Sequence, residues 1–380
     1  MTNWRRISLI GMILGILLFV TVAVAGLITF RLTALHSISV WGRLSLFVAV
    51  GGAFLSPFLL RGSHIGNGNT YLMLTYTAYF FFVVVFLFFS FMLMRDFGWI
   101  GLKLIAKDIP SPFQGAAVLK ANIGLGIFVF CIAGWALYAG TRVPDVRRII
   151  IESDKVSTPI SIVVLSDIHI HRALSRDKVR EIVARTNALK PDIIALPGDI
   201  WDDRWDLIQD FIPILGQLRA PMGVYATDGN HEIYTGVQEA KKQFSEAGIT
   251  YLVNSGVRVD KHIVVGGVSD IQGTRIGRAP NPEKALAEAN NTDMTILLAH
   301  TPKIFDMPKN TADLQVSGHT HGGQIFPFHV LAKFGNKYLA GLYRKGNRSL
   351  YVSRGAGQWG PQMRFLSPSE ITLIMLVPKK

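Results

Sequence analysis

Ser317-Gly318-His319-Thr320-His321-Gly322-Gly323 sets two imidazoles one residue apart in a run of small residues, directly after the apolar-ending segment Asp313-Leu314-Gln315-Val316. At strand spacing, positions i and i+2 point to the same side, so this reading puts both rings on one side of a strand end. The glycines allow a tight turn and let a ligand come close to the backbone. Two imidazoles facing one way suit one metal ion, or two neighbouring ones. Standing alone, the motif would equally suit two surface histidines, and its company decides between the readings.

That company recurs past the ends of other short β-rich runs. Residues 160–165 lead to Asp167 and His169, and 193–196 lead to Asp199. Residues 223–226 lead to Asn230 and His231, and 295–298 lead to His300. Between them, residues 175–189, 207–218, 236–247 and 282–289 have helical spacing, and 257–259 and 263–268 read as paired strands. Strands alternating with helices imply an α/β layered domain. In such sheets the loops beyond the strand carboxyl ends are where ligand sites gather. The donors are carboxylate, imidazole and amide without sulfur, a mix that suits Mn, Fe or Zn rather than a thiolate zinc site. Eight candidate groups are too many for one four-coordinate ion. They suit two ions about 3.5–4 Å apart that share a carboxylate, lower the pKa of a water and clamp phosphoryl oxygens.

At this point Asp167-x-His169, Gly198-Asp199, Gly229-Asn230-His231-Glu232, His300 and Gly318-His319-x-His321 resemble, in order and spacing, the five motif blocks of the calcineurin-like metallophosphoesterases. The likeness covers nearly all of residues 160–377. Gly341-Leu342-Tyr343 and Tyr351-Val352-Ser353-Arg354-Gly355 are similar to the membrane-associated branch of that family. The resemblance implies an α/β fold, a four-layer α-β-β-α sandwich over residues 159–380. It implies that Asp167, His169, Asp199 and His321 hold one divalent ion, and that Asp199, Asn230, His300 and His319 hold the other. His231 would stabilise the phosphoryl oxygen or protonate the leaving group, beside Asn230. Glu232 departs from the family's commoner Asp, at a position that tunes the site rather than ligates. His171 reads as either a substrate contact or a loop histidine. Arg354 and Arg364 read as either a fork for phosphate or surface ion pairs.

The first 150 residues have another character. They hold three acidic residues (Asp96, Asp108, Asp145) and twelve Lys or Arg, whereas residues 151–380 carry 27 basic against 23 acidic. Four apolar stretches, about 7–30, 44–60, 71–94 and 115–140, suit a helical transmembrane domain over 1–142, since a span takes about 20 residues. Residues 99–112 suit a short interfacial helix, and 143–158 a linker. No polar group at a span centre suggests a transport path, so this half reads as an anchor. The single cysteine, Cys131, excludes an intramolecular disulfide and reads as a packing residue. Basic residues balance six against six on the two flanks. The even span count and Arg5-Arg6 lean the catalytic domain to the cytoplasmic face.

The expected protein is therefore a multi-pass membrane metallophosphoesterase. It would use two divalent ions, manganese among the candidates, on a phosphomonoester, phosphodiester or pyrophosphate. The aromatic and basic segment from Ile325 to Arg348 reads either as core closure or as a flap that touches the bilayer and takes an acyl chain. The second reading points to a lipid-linked substrate. A non-catalytic binding module or a nuclease are the rivals. The first would be expected to have lost ligands, and the second is disfavoured by a basic surplus of only four in the catalytic half.

Overall fold

The computed structural model describes residues 3–33, 38–61, 69–106 and 116–379, and the chain divides into two units, Met1–Leu137 and Tyr138–Lys380. The first unit is built from α1 (Asn3–Thr33), α2 (Val40–Arg61), α3 (Asn69–Ile105) and most of α4 (Ala116–Thr141). Among the described residues three stretches, Val40–Leu60, Thr70–Ile105 and Lys120–Thr141, are long and apolar enough to cross a membrane; α1 adds a shorter apolar stretch, Leu17–Leu32. A helix apolar on all faces satisfies its own backbone and has no side that prefers water.

Two expectations for this half are corrected, and one feature is added to it. Residues 99–105 are not a separate interfacial helix but the continuous end of α3, whose 37 residues reach about 55 Å, well beyond a bilayer core of about 30 Å; residues 107–112 lie outside the described ones. The apolar reading also leaves out a buried charge. Asp96 is only 6% exposed and pairs with Arg31 of α1 and with Arg95, both at 2.9 Å. Arg95 in turn donates to Asn122 Oδ1 of α4 at 2.7 Å. A carboxylate is tolerated among apolar helices when its charge is met in this way. Cys131, finally, is exposed on α4 rather than packed.

The second unit begins inside the last turn of α4. A methyl group on Gly140 would strike the backbone of Gln362 and Met363, and the Gly140 carbonyl accepts from Lys178 Nζ at 2.7 Å and Gln358 Nε2 at 2.9 Å. Next comes β1 (Asp145–Ser153), which pairs in parallel with the last strand over nine residues. The expected linker at 143–158 is thus corrected: most of it is an edge strand. The remaining elements are β2 (Ile160–Val164), α5 (Arg176–Ala188), β3 (Ile193–Leu196), α6 (Ile212–Leu215), β4 (Val224–Ala226), α7 (Asn230–Thr235), α8 (Val237–Glu246) and β5 (Thr250–Tyr251). Then follow β6 (Ser255–Asp260), β7 (Ile263–Gly267), α9 (Pro282–Ala285), β8 (Met294–Leu298), β9 (Leu314–Ser317), α10 (Phe328–Asn336), β10 (Gly341–Lys345), β11 (Arg348–Val352) and β12 (Glu370–Pro378). The helix expected at 207–218 becomes two 3-10 turns, Trp205–Leu207 and Gln209–Phe211, followed by α6, and that at 282–289 shrinks to α9.

Two six-stranded mixed sheets result, ordered β1-β12-β2-β3-β4-β5 and β10-β11-β9-β8-β7-β6. The period of two along β2 shows how they stack. Ile162 and Val164 enter the core between the sheets with Val265, Ile296 and Leu298, while Val163 and Leu165 face Val179, Ile182 and Phe244 of the outer helices. A thinner outer layer, with Ala285 and Leu286 at α9, covers Leu297 of the second sheet. This is the α-β-β-α sandwich. If β1 is integral to it, Ile151, 4% exposed in the inter-sheet core, will lower stability by about 2–4 kcal/mol when changed to Ala. Thermal melts of the full chain in detergent measure this; a linker residue would change it by less than about 0.5 kcal/mol.

Candidate metal centre

Parallel strands of both sheets end at one place. Asp167 and His169 follow β2, Asp199 follows β3, and Asn230 and His231 open α7 after β4. His300 follows β8, and His319 and His321 follow β9. His319 and His321 do not share a strand face: β9 stops at Ser317, and His321 opens a short 3-10 turn. They converge because the backbone leaves the extended region. Asp167, His169, Asp199, His319 and His321 all have φ between 50° and 72°. Non-glycine residues hold this left-handed region at a cost, and such strain gathers at functional sites. Space for it comes from Gly198 and Gly229, packed so closely that a Cβ on Gly198 would lie 2.5 Å from Gly229 N.

The donor atoms form two adjoining groups. In the first, His169 Nε2 and His321 Nε2 are 3.0 Å apart, and His321 Nε2 is 3.4 Å from Asp167 Oδ1. In the second, His319 Nδ1 lies 3.0 Å from Asn230 Oδ1 and 3.3 Å from His300 Nε2. Asp199 Oδ2 stands between them, 3.0 Å from His300 Nε2 and 3.7 Å from His169 Nε2. Asp167, His169, Asp199 and His300 are almost fully buried. All seven residues named as ligands on the resemblance are therefore brought together. His231 stands beside them, its ring edge-on to His169 at 4.7 Å.

The donor set fits metal ions. Asp167 Oδ2 is buried without a hydrogen-bond partner, and two ring nitrogens 3.0 Å apart face each other beside carboxylates, an arrangement that asks for a cation. The His300 Nδ1 proton is directed to the Pro197 carbonyl at 3.0 Å, which leaves Nε2 for a ligand. Burial would lower the pKa of His300, but the charge of Asp199 and its hydrogen bond hold it up to about 10, so a positive charge is favoured between the two. Burial first, then His169 and Arg364, keeps His321 well below its usual value; burial and His300 lower His319. Neutral imidazole is the form that binds metal.

Three supporting residues complete the centre. Asp202 accepts from His231 Nδ1 at 2.6 Å and lies 3.3 Å from His169 Nδ1. Against the lowering effect of burial, Asp199 and Asp202 raise His231 to about 9, which favours its protonated form. Sequence reasoning missed Asp202, although the spacing Gly198-Asp199-x-x-Asp202 placed a second carboxylate in the same loop. Glu232 accepts from the backbone N–H groups of Asp199, Ile200, Trp201 and Gly229 at 2.7–3.0 Å and so locks the strained loop. Arg364, read as a phosphate fork or a surface pair, is neither: it is 1% exposed, donates to the His321 carbonyl at 2.8 Å, and lies 3.4 Å from His321 Nδ1. Arg354 pairs with Glu370 at 2.8 Å, and His171 Nε2 lies 3.0 Å from Gln362 Nε2.

Residues 160–323 match the family model described as calcineurin-like phosphoesterase. An uncharacterized metallophosphoesterase of Helicobacter pylori strain J99 is 34% identical over 276 residues, 71% of this chain and 74% of the relative. A transmembrane protein with metallophosphoesterase domain of Danio rerio is 33% identical over 267 residues, 66% of this chain and 61% of the relative. An uncharacterized metallophosphoesterase of Aquifex aeolicus is 31% identical over 265 residues, 67% of this chain and 99% of the relative. With its buried His/Asp site intact, the chain belongs to the calcineurin-like metallophosphoesterases. Within them it is one with N-terminal apolar helices.

The geometry around His231 makes a prediction. At saturating metal, Asp202→Asn will lower kcat by about 10–100-fold, the usual range for a residue that orients an active-site imidazole; because Asp202 also meets His169 Nδ1 at 3.3 Å, metal affinity falls as well. Because Asp202 raises the His231 pKa, its loss will also move the alkaline limb of the pH–rate profile to lower pH. A profile that does not move contradicts the role.

Proposed function

We propose that the second unit hydrolyses a phosphoester or phosphoanhydride bond with two divalent ions, Mn, Fe or Zn, held in the two donor groups, and that its substrate is lipid-linked. The observation that carries the reaction is Asp199 Oδ2, one buried carboxylate oxygen within 3.7 Å of ring nitrogens from both groups. Ions bound there would supply a water of lowered pKa and offset the charge of the phosphoryl oxygens. The rest falls to the chain. Asp202 fixes His231 through Nδ1, so the Nε2 proton is the one to be given to the phosphoryl oxygen or the leaving group. The Asp199 Oδ1 accepts from the His231 backbone N–H at 2.9 Å, which ties the acid to the shared carboxylate. The complete donor set speaks against a non-catalytic binding module.

The lipid-linked reading is supported by the apolar helices on the same chain and by relatives described as transmembrane proteins. An enzyme fixed to a bilayer meets a lipid substrate at a raised effective concentration. A nucleotide-linked acylated sugar is one compound of this class. The reading puts the second unit on the cytoplasmic face, favoured by the even number of helices, four among the described residues, before β1 and by Arg5 and Arg6 near the N-terminus.

With Mn²⁺ the purified full chain will cleave an aryl phosphate or aryl phosphodiester. Asp199→Ala will lower kcat/KM by about 10³-fold or more with an unchanged circular dichroism spectrum, and undiminished turnover would sink the mechanism. In detergent micelles an acylated substrate will be hydrolysed more efficiently than its deacylated, water-soluble counterpart. Equal efficiency contradicts the lipid-linked reading alone. A reporter fused after Lys380 will be active only in its cytoplasmic form.

A further inference from the structure

We propose that α10 and the neighbouring 359–366 loop form a docking surface for an anionic lipid bilayer. The proposal deepens the lipid-linked reading and stands on observations of its own. A helix on a soluble domain turns its apolar stripe inward; α10 does the reverse. Its Phe328, Val330, Leu331 and Phe334 are 44%, 51%, 64% and 84% exposed, while Ala332 is its buried residue. Two large apolar side chains from the loop extend the surface, Trp359 at 49% and Leu366 at 68% exposure. The loop is fastened alongside. Gln324 donates to the carbonyls of Trp359 and Pro361 at 2.9 and 3.0 Å, and His329 Nε2 lies 3.3 Å from the Leu366 carbonyl. Leu366 is itself held at φ 59°, an unfavourable conformation that keeps an apolar side chain facing out. Six large apolar residues on one surface are a patch of the kind that marks an interaction site.

Charge selects the occupant. Residues 314–369 contain no Asp or Glu and seven Lys or Arg (Lys333, Lys337, Arg344, Lys345, Arg348, Arg354, Arg364). The carboxylates that meet this segment are occupied, Asp306 by Lys337 at 2.7 Å and Lys345 at 3.3 Å, Asp313 by Lys155 and Glu370 by Arg354, and Arg364 is buried. Lys333 and Arg344 are exposed. Aromatic and aliphatic side chains mixed with basic ones and free of acids are the composition that settles at an anionic headgroup layer. The same chain carries helices suited to a bilayer, so that surface belongs to its surroundings.

The surface is joined to the metal centre. Gly323, at φ 81°, closes the turn that holds His319 and His321, and a Cβ there would lie 2.5 Å from His329 Cα. The first turn of α10 is thereby packed on the ligand turn. Docking through α10 presents the rim of the centre to headgroups, where the phosphate of a lipid-linked substrate lies.

The test uses the full chain with Cys131→Ser, a single cysteine from Phe334→Cys, and a polarity-sensitive fluorophore on it, in nanodiscs of phosphatidylcholine and phosphatidylglycerol. Lys241→Cys, exposed on α8, is the control. The label at 334 is expected to shift to the blue, to be quenched about two-fold by lipids with a spin label on the acyl chain, and to resist aqueous iodide; the label at 241 will do the opposite. Iodide quenching at 334 without lipid quenching overturns the proposal. Shielding from both overturns it too, since a second protein copy then covers the patch. In a second arm, Leu331→Ser with Phe334→Ser will keep aryl phosphate hydrolysis within about two-fold and lower efficiency on an acylated substrate by about ten-fold or more. Equal loss on both substrates assigns these residues to the core and contradicts the proposal. Failure of the hydrolase reading would show instead as no aryl phosphate turnover in the unmodified chain, with the quenching pattern intact.

Discussion

The carboxylate of Asp199 is the point on which the rest of the second unit converges. Its Oδ2 serves donors from the first sheet, through His169, and from the second, through His300. Bringing it there requires a left-handed residue at the end of a buried strand, and the backbone around it is retained by Glu232, whose carboxylate collects four N–H groups. Glu232 is fully buried; burial and then the charge of Asp199 raise its pKa. Two carboxylates this close in a dry site repel unless cations stand among them. The fold thus builds a place that is electrostatically incomplete without positive charge.

Much of this was legible in the sequence because the ligand-bearing residue types follow short apolar runs one after another. Strand ends can be read from periodicity, and sulfur-free donors at five of them point to a metal centre. The local geometry was not legible. His319 and His321 look like a strand pair, yet they meet their partners through positive φ values, in a turn where Gly318 packs on Asp167 and Gly323 on His329. Asp202 was invisible because one more Asp in an acidic loop has no pattern of its own. Arg364 looks like a surface arginine and is instead buried among carbonyl groups. Residues 145–153 read as linker because Arg147, Arg148 and Glu152 interrupt the apolar run; an edge strand can carry charges on its open side, and only its pairing with β12, more than 200 residues later, makes it a strand.

The helical unit shows the same division. Spans follow from composition alone, since nothing but a bilayer or a deep interior accepts a helix such as α3. The Arg31–Asp96 pair could not be foreseen, because Arg31 and Asp96 lie on different helices far apart in the chain. Segment 325–348 is not uniformly core. Tyr338 and Tyr343 pack on Phe305, Leu350 and Val352, whereas Phe328, Leu331 and Phe334 face outward. Aromatic content alone does not distinguish these fates; the direction in which α10 presents its faces does.

The central claim is that one carboxylate joins two metal positions. Electron paramagnetic resonance of the chain loaded with Mn²⁺ tests it most directly, because two ions bridged by a single group are exchange-coupled. The account predicts a coupled two-manganese signal with two ions bound per chain, replaced in Asp199→Ala by the signal of isolated Mn²⁺. A chain that saturates with one ion, or a coupled signal that survives the loss of Asp199, would contradict it.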